Sequence, residues 1–167
     1  METGPAARRE GAWPSDHPGV EIRSPEAESE FVAYYELRWR VLRKPWGQPS
    51  GSERDELDAA ATHVAGYDEA KRLVCVGRLH AVETGVGQVR YMAVEEPLRG
   101  RGLGQAVLDE LERLAKWQGM SVIVLDAREA AVGFYRHNGY EAVGEGPVLF
   151  GEVRHSKMRK KFSVSMP

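Results

Sequence analysis

The chain has 167 residues, 42% of them hydrophobic, which suits one globular domain with a single core. Its 23 Lys and Arg residues nearly balance 25 Asp and Glu residues, so the net charge of -2 provides no basic field that would favour nucleic acid. No stretch contains the roughly 18 apolar residues that span a bilayer, and the amino terminus has no apolar block of the secretory type. We therefore expect a cytoplasmic protein without nucleic-acid or membrane partners.

The amino-terminal region predicts a leader, a strand and a helix. Residues 1–18 are rich in Gly, Pro and charge and predict a flexible leader, followed by a single domain over residues 19–167. Val20–Arg23 is a short strand candidate. After it, Ser24-Pro25-Glu26 has the form of an N-cap with proline in the first turn, and Lys44-Pro45 ends the predicted helix.

The middle of the chain changes from helical to strand periodicity. Thr62–Tyr67 and Leu73–Val82 are rich in β-forming residues and are separated by a polar turn over residues 68–72. Gly85-Val86-Gly87 marks a second hairpin before Gln88–Val94. These segments predict a meander of three antiparallel strands.

The remainder of the chain predicts alternating helices and strands. Apolar residues recur at helical spacing from Leu103 to Ala115, and Gly119 stops this helix. Ser121–Leu125 is an unbroken apolar run, typical of a buried parallel strand. The predicted elements that follow are a short helix ending at Asn138-Gly139 and two terminal strands, Tyr140–Val143 and Val148–Val153.

A glycine-rich loop, Arg99-Gly100-Arg101-Gly102-Leu103-Gly104, joins the meander to the next helix and has the features of an anion cradle. Glycines allow close backbone approach, and the helix start presents free amides and a positive dipole end. A P-loop would need Lys and a hydroxyl where Gln105 and Ala106 stand, and Gln105 also replaces the third glycine of a dinucleotide fingerprint. A purely structural turn stays open as the alternative.

Two motifs together resemble the GNAT superfamily of acetyl-CoA-dependent N-acetyltransferases. Arg99, Gly102 and Gly104 occupy the places of the family loop pattern, and Phe134 to Tyr140 matches a second family signature. The stretch Leu37 to Leu42 resembles the ElaA-like bacterial branch. The resemblance covers residues 20–160. It implies an α+β fold in which a twisted mixed sheet of six to seven strands is flanked by about four helices, with a splayed strand pair forming the cofactor cleft.

The resemblance implies how acetyl-CoA would be held. The backbone of Met92, Ala93 and Val94 would pair with the pantetheine arm. Arg128 falls where many relatives have an asparagine that contacts this arm, and its different shape changes the contact. The residues that would bind the pyrophosphate are Arg99, Gly100, Arg101, Gly102, Leu103, Gly104 and Gln105.

The resemblance also implies a proton donor, since Tyr135 corresponds to the family tyrosine that donates to the departing thiolate. A tyrosine that merely packs in the core is the alternative. Asp126 ends a central strand, where residues tend to face a ligand, although it could also cap the next helix.

The proton acceptor is the least defined role. Many relatives have a glutamate on the strand before the glycine loop, where this chain has Gln88 and Arg90. His80, on the neighbouring strand, is the first candidate because a neutral imidazole can accept an amine proton directly or through water. His155 is the second, and a water chain without a dedicated base is also open. The weaker candidates are Glu83 and Glu95.

No metal is expected, because the five histidines show no paired spacing and the single cysteine, Cys75, cannot complete a site. The basic run over residues 155–161 favours a solvated edge strand over an anion site.

The sequence predicts an N-acetyltransferase that uses acetyl-CoA and a primary amine, as a monomer or homodimer. The alternative is a non-catalytic CoA-binding module, motivated by the missing strand glutamate. Acceptor specificity would lie within residues 26–58, where the loop over residues 46–55 could cover the cleft. Side chains there that either line an acceptor pocket or pack internally are Trp39, Arg40, Arg43 and Trp46.

Overall fold

The computed structural model describes residues 19–163, so the predicted leader over residues 1–18 lies outside the described residues. One seven-stranded mixed sheet runs through the described chain, in the strand order β1-β2-β3-β4-β5-β7-β6. The strands are β1 Glu21–Arg23, β2 Thr62–Tyr67, β3 Leu73–Glu83, β4 Val86–Val94, β5 Val122–Arg128, β6 Glu141–Leu149 and β7 Val153–Lys161. Three α-helices accompany them within residues 19–163: α1 Glu28–Leu42, α2 Leu103–Trp117 and α3 Val132–His137.

The helices cover both faces of the sheet. Helix α1 packs on β3 and β4 over a core that contains Tyr34, Leu37 and Val76. Helix α2 packs on the same strands from the other face, where Val107 and Leu111 are fully buried. Alternate residues of a strand point to opposite faces, so β3 supplies both cores. The predicted α+β architecture is confirmed, with three α-helices and several short 3-10 turns where about four helices were expected.

Strands β4 and β5 separate within the sheet. They pair in parallel only at their first residues, where Val86 faces Val122 and Gln88 faces Val124. Beyond this point a bulge bends β4, and Tyr91 takes a positive φ of 60°. The predicted splayed pair is therefore present, with an open wedge between the carboxyl ends of two neighbouring strands.

The last two strands differ from the sequence prediction. The segment predicted as a strand over Val148–Val153 contains the turn between β6 and β7, where Phe150 and Gly151 have φ values of 54° and 73°. The basic run over residues 155–161 belongs to β7, which lies between β5 and β6. It is an internal strand and not the predicted edge strand, because β6 pairs with its outer side.

A buried ionic network joins α1, the loop before β2 and the sheet. Arg38 of α1 and Arg78 of β3 are both fully buried, and each places a guanidinium nitrogen 3.0 Å from Asp58 Oδ1. Arg78 also contacts Asp55 at 2.6 Å, and Arg90 of β4 lies 3.2 Å from the same carboxylate. The network fixes the loop against the sheet beside the wedge.

Across residues 19–163, no helix is long and apolar enough to cross a membrane. The same residues contain no group of three or more His, Cys, Asp or Glu side chains that could hold a metal ion.

Candidate active site

The glycine loop forms a backbone concavity at the start of α2. Gly100 and Gly102 have φ values of 80° and 84°, a left-handed conformation that favours glycine. Apart from Gly100 and its two chain neighbours, no atom of residues 19–163 lies within 4 Å of the position that a Cβ on Gly100 would take, so the loop is open on that side. The first bond into α2 joins Ala106 N to Gly102 O at 3.0 Å, which leaves the preceding amides without a helical partner. This arrangement suits an anion such as a pyrophosphate.

A hydrogen-bond chain ties the loop to α3. The Gln105 side-chain amide contacts Asp109 Oδ1 at 2.9 Å and also contacts the Asn138 side chain. Asn138 in turn donates to the Phe134 carbonyl oxygen at 2.9 Å. The two motifs that are far apart in sequence are thus joined directly.

The wedge between β4 and β5 opens into a cleft of about 160 Å³. Met92 lines it, whereas the cleft does not reach the following residues, Ala93 and Val94. Those two residues continue β4 toward the glycine loop. An extended ligand could therefore run from the loop along β4 into the cleft.

Tyr135 closes one wall of the cleft. Its hydroxyl lies 3.3 Å from Met92 Sδ, and the residue is only 8% exposed. Burial raises the pKa of this phenol, so the hydroxyl keeps its proton at neutral pH. Edge-on contacts with the rings of Phe134 and Tyr140 fix its orientation. The side chain that packs in the core thus also presents a proton donor to the cleft.

Arg128 lines the cleft and contacts the segment that follows α1. The Arg128 guanidinium lies 4.5 Å from the centre of the Trp46 ring and donates to the Leu42 carbonyl oxygen at 3.1 Å. Arg43, at the end of α1, also lines the cleft and donates to the same carbonyl oxygen. The end of α1 therefore reaches the cleft through Leu42 and Arg43, and Trp46 contacts Arg128 from outside the cleft lining.

Asp126 and His155, the second candidate for the proton acceptor, both line the cleft beside Gly146. A Cβ on Gly146 would lie 3.2 Å from Asp126 Oδ1 and 3.1 Å from His155 Cβ. His155 Nδ1 lies 2.9 Å from the Pro147 carbonyl oxygen, which can only accept. In the neutral ring Nδ1 therefore carries the proton, and Nε2 retains its lone pair. The register between β5 and β7 explains why these two residues are close. His155 faces Arg128 across the two strands, and Asp126 lies two positions before Arg128 on β5.

His80 does not line the cleft formed by the described residues. Its ring is 8% exposed, and Nδ1 lies 3.0 Å from Arg78 Nη2, which can only donate. Burial, followed by the charge of Arg78, lowers the pKa of His80. The lone pair that a base would use is therefore engaged by a cation.

The two carboxylates that the sequence ranked lowest are also away from the cleft lining. Glu95 makes hydrogen bonds of 2.8 and 3.0 Å with Arg40, which lower its pKa. Glu83 is exposed at the end of β3.

Residues 31–140 match the sequence model of the acetyltransferase (GNAT) family. The chain belongs to this family. It is 32% identical over 133 residues to the uncharacterized N-acetyltransferase YjcF of Bacillus subtilis, an alignment that covers 80% of this chain and 94% of YjcF. This GNAT protein is therefore an acyltransferase.

Solved structures share the fold of this GNAT protein at low identity. Escherichia coli ElaA superposes with a TM-score of 0.74 at 19% identity, over 85% of this chain and 99% of ElaA. A GNAT acetyltransferase from Elizabethkingia anophelis, solved with acetyl-CoA bound, gives a TM-score of 0.71 at 14% identity, over 87% and 99% of the two chains. ElaA is thus a structural neighbour of this GNAT acyltransferase.

Proposed function

We propose that this acyltransferase moves the acetyl group of acetyl-CoA to a primary amine, which attacks directly while both substrates are bound. One observation carries the proposal: β4 connects the cleft, where Met92 meets the Tyr135 hydroxyl, with the glycine loop, where Val94 lies beside Gly104. The acetyl-CoA complex of the Elizabethkingia relative supports the identity of the donor.

The glycine loop fits the pyrophosphate of acetyl-CoA, because it offers unpaired amides and an open concavity at the positive end of α2. Met92, Ala93 and Val94 would hydrogen-bond the pantetheine arm through their backbone, and Arg128 would contact it from β5. The residues proposed for the pyrophosphate are Arg99, Gly100, Arg101, Gly102, Leu103, Gly104 and Gln105. When bound, acetyl-CoA supplies the activated thioester.

The chain's own residues would handle two protons. The amine nitrogen bonds to the acetyl carbon as the carbon–sulfur bond breaks, and the nitrogen loses a proton. His155 Nε2 would accept that proton, because its lone pair is free and the ring borders the cleft. Tyr135 would donate its proton to the departing sulfur. His80 is a poorer acceptor because Arg78 engages its lone pair.

A product assay tests this proposal. The protein is incubated with acetyl-CoA and a panel of amino acids, polyamines, aminoglycosides and lysine peptides, and the products are analysed by mass spectrometry. We expect a gain of one acetyl group on at least one amine, with stoichiometric release of free CoA thiol. Calorimetric binding of CoA without any acetylated product would instead favour the non-catalytic CoA-binding module.

A further inference from the structure

The cleft concentrates arginines that have no carboxylate partner. Arg43 and Arg128 both line it. Within residues 19–163, their polar partners are the backbone carbonyls of Leu42 and Ser52 and the Tyr91 side chain, and no carboxylate pairs with either guanidinium. A charged group that leaves water ordinarily finds an opposite charge. Two guanidinium groups in this state leave positive charge without a paired carboxylate in the cleft lining.

These arginines also repel one another. Burial lowers the pKa of Arg128, and the charges of Arg43 and then Arg99 lower it further. Burial likewise lowers the pKa of Arg43, which is 7% exposed and lies near the cation of Arg90. Each guanidinium keeps N–H donors that no carbonyl occupies, since Arg43 uses two on backbone oxygens and Arg128 uses one. The site therefore has both the charge and the free donors to bind an oxyanion.

A carboxylate and an imidazole line the same cleft. Asp126 and His155 both belong to its lining, and the nearest cation to Asp126 is Lys157, at 3.7 Å. His155 faces Arg128 across β5 and β7, so groups that suit an amine lie next to a group that suits an anion. The cleft therefore fits a small ligand that carries both an amine and an anion.

We propose that the acceptor is a primary amine that also carries an oxyanion, a carboxylate or a phosphate. Arg43 would hold this oxyanion together with the Arg128 donors that the pantetheine arm leaves free, while the nitrogen lies beside Asp126 and His155. This inference rests on the proposed acetyl transfer. It narrows the acceptor to a small zwitterionic amine and disfavours polyamines, whose positive charge the arginines would repel.

The alternative ligand for these arginines, in place of an acceptor oxyanion, is a phosphate group of acetyl-CoA. Arg43 lies at the end of α1, on the face of the sheet opposite α2, and α2 carries the glycine loop. Arg43 also packs against the Phe150 ring, in the turn between β6 and β7, with its guanidinium 5.3 Å from the ring centre. Its position therefore favours a ligand that enters from the α1 face.

Matched amines test the inference by kinetics. β-Alanine is compared with β-alaninamide, and phosphoethanolamine with ethanolamine, at saturating acetyl-CoA. We expect kcat/KM to be at least about tenfold higher for the anionic member of one pair, and the pair that responds identifies the oxyanion. Arg43→Gln should raise KM for that amine about 10- to 100-fold, because a hydrogen bond to a charged group is lost. Its KM for acetyl-CoA should stay unchanged.

Two further variants make the comparison specific. Arg43→Lys keeps the positive charge but lacks the forked N–H donors. It should therefore retain only part of the wild-type preference for the anionic amine. Arg154→Gln removes an exposed arginine outside the cleft lining and should change neither KM. Equal losses for the anionic and uncharged amines, or a loss confined to KM for acetyl-CoA, would overturn the inference.

A binding experiment distinguishes failure of this inference from failure of the proposed reaction. Calorimetry compares N-acetyl-β-alanine with its amide, and N-acetylphosphoethanolamine with N-acetylethanolamine, on CoA-saturated protein. Tighter binding of an anionic member that Arg43→Gln abolishes supports the anion site, even if no amine in the panel is acetylated. Binding of all four compounds with equal affinity would exclude the anion site and leave the transfer reaction untouched.

Discussion

Tyr135 combines a packing role with the proton-donor role that we propose for its hydroxyl. Its ring contacts Phe134 and Tyr140 edge-on, whereas its hydroxyl points to Met92 in the cleft. The resemblance to a family motif identified this residue as a candidate. The fold places Met92, which is 43 positions away in the sequence, next to the Tyr135 hydroxyl. Helical periodicity alone would have described Tyr135 as a core residue.

Removal of the Tyr135 hydroxyl should separate these two roles. We expect Tyr135→Phe to lower kcat about 100-fold, because a positioned proton donor is lost, while the ring contacts keep the fold intact. Steady-state kinetics and calorimetric CoA binding measure the two effects. Tyr67→Phe, which removes a hydroxyl on β2 outside the cleft lining, is the matched control. A wild-type kcat in Tyr135→Phe would exclude the hydroxyl from the reaction.

The two candidate histidines make different predictions for turnover. His155→Ala should lower kcat/KM about 100-fold at neutral pH, because the proposed proton acceptor is lost. His80→Ala should keep kcat/KM within about threefold of the wild type, since Arg78 engages the His80 lone pair. The experiment measures kcat/KM of both variants by thiol release. A loss in His80→Ala alone would reverse the assignment.

At the scale of elements, the glycine loop owes its shape to two left-handed residues. Gly102 is the N-cap of α2 and has a φ of 84°, a conformation that costs an ordinary residue roughly 1–2 kcal/mol. The sequence predicted this element correctly because glycine content and helix periodicity are local properties. Which elements lie beside the loop, namely β4 and α3, depends on how the sheet is arranged.

Alanine at Gly102 should therefore cost both stability and affinity. We expect Gly102→Ala to lower the free energy of unfolding by about 1–2 kcal/mol and to weaken CoA binding, because the loop amides turn away from the anion. Gly119→Ala is the control, since Gly119 has a φ of 86° with no atom near its Cβ position and lies outside the loop. In urea unfolding, Gly119→Ala should show a similar decrease in the free energy of unfolding, and its CoA affinity should equal that of the wild type. Unchanged CoA affinity in Gly102→Ala would argue against a pyrophosphate at this loop.

The carboxyl-terminal strands show where element prediction failed. The polar side chains of β6 and β7 alternate weakly, and most residues of β6 are exposed, so apolar periodicity did not locate their ends. The chain turns at Phe150 and Gly151 instead. Strand order then places the basic residues of β7 beside β5, and with them His155 beside the cleft.

At the scale of the whole molecule, a buried carboxylate links three elements. Burial alone would raise the pKa of Asp58, but hydrogen bonds from Arg38, the Asp55 amide and Arg78 outweigh it and lower the pKa to about 2. A carboxyl whose pKa is lower in the folded state stabilises that state above its unfolded pKa of 3.8. This contribution is lost as the pH falls through about 2.

Neutralising Asp58 should destabilise the molecule strongly. We expect Asp58→Asn to lower the free energy of unfolding by about 3–5 kcal/mol at pH 7, because Arg38 and Arg78 become buried charges without this partner. The variant should also lose less stability than the wild type between pH 4 and 2, as measured by urea unfolding. Glu56→Gln, an exposed neighbour, should retain wild-type stability at both pH values. A loss below about 1 kcal/mol in Asp58→Asn would contradict a structural role for the network.

The family, the meander before the glycine loop and the residues of the loop could be predicted from the chain alone, because they depend on local periodicity, turn chemistry and motif spacing. The set of side chains that share the cleft could not be predicted, because it depends on the fold. The pairing of β5 with β7 brings Asp126 and His155 to one cleft, and the end of α1 brings Arg43 beside Arg128 at the Leu42 carbonyl oxygen. His80 instead lies with Arg78 on the α1 face of the sheet. Such encounters join residues distant in sequence through sheet register and strand splay, and neither is encoded in a local pattern.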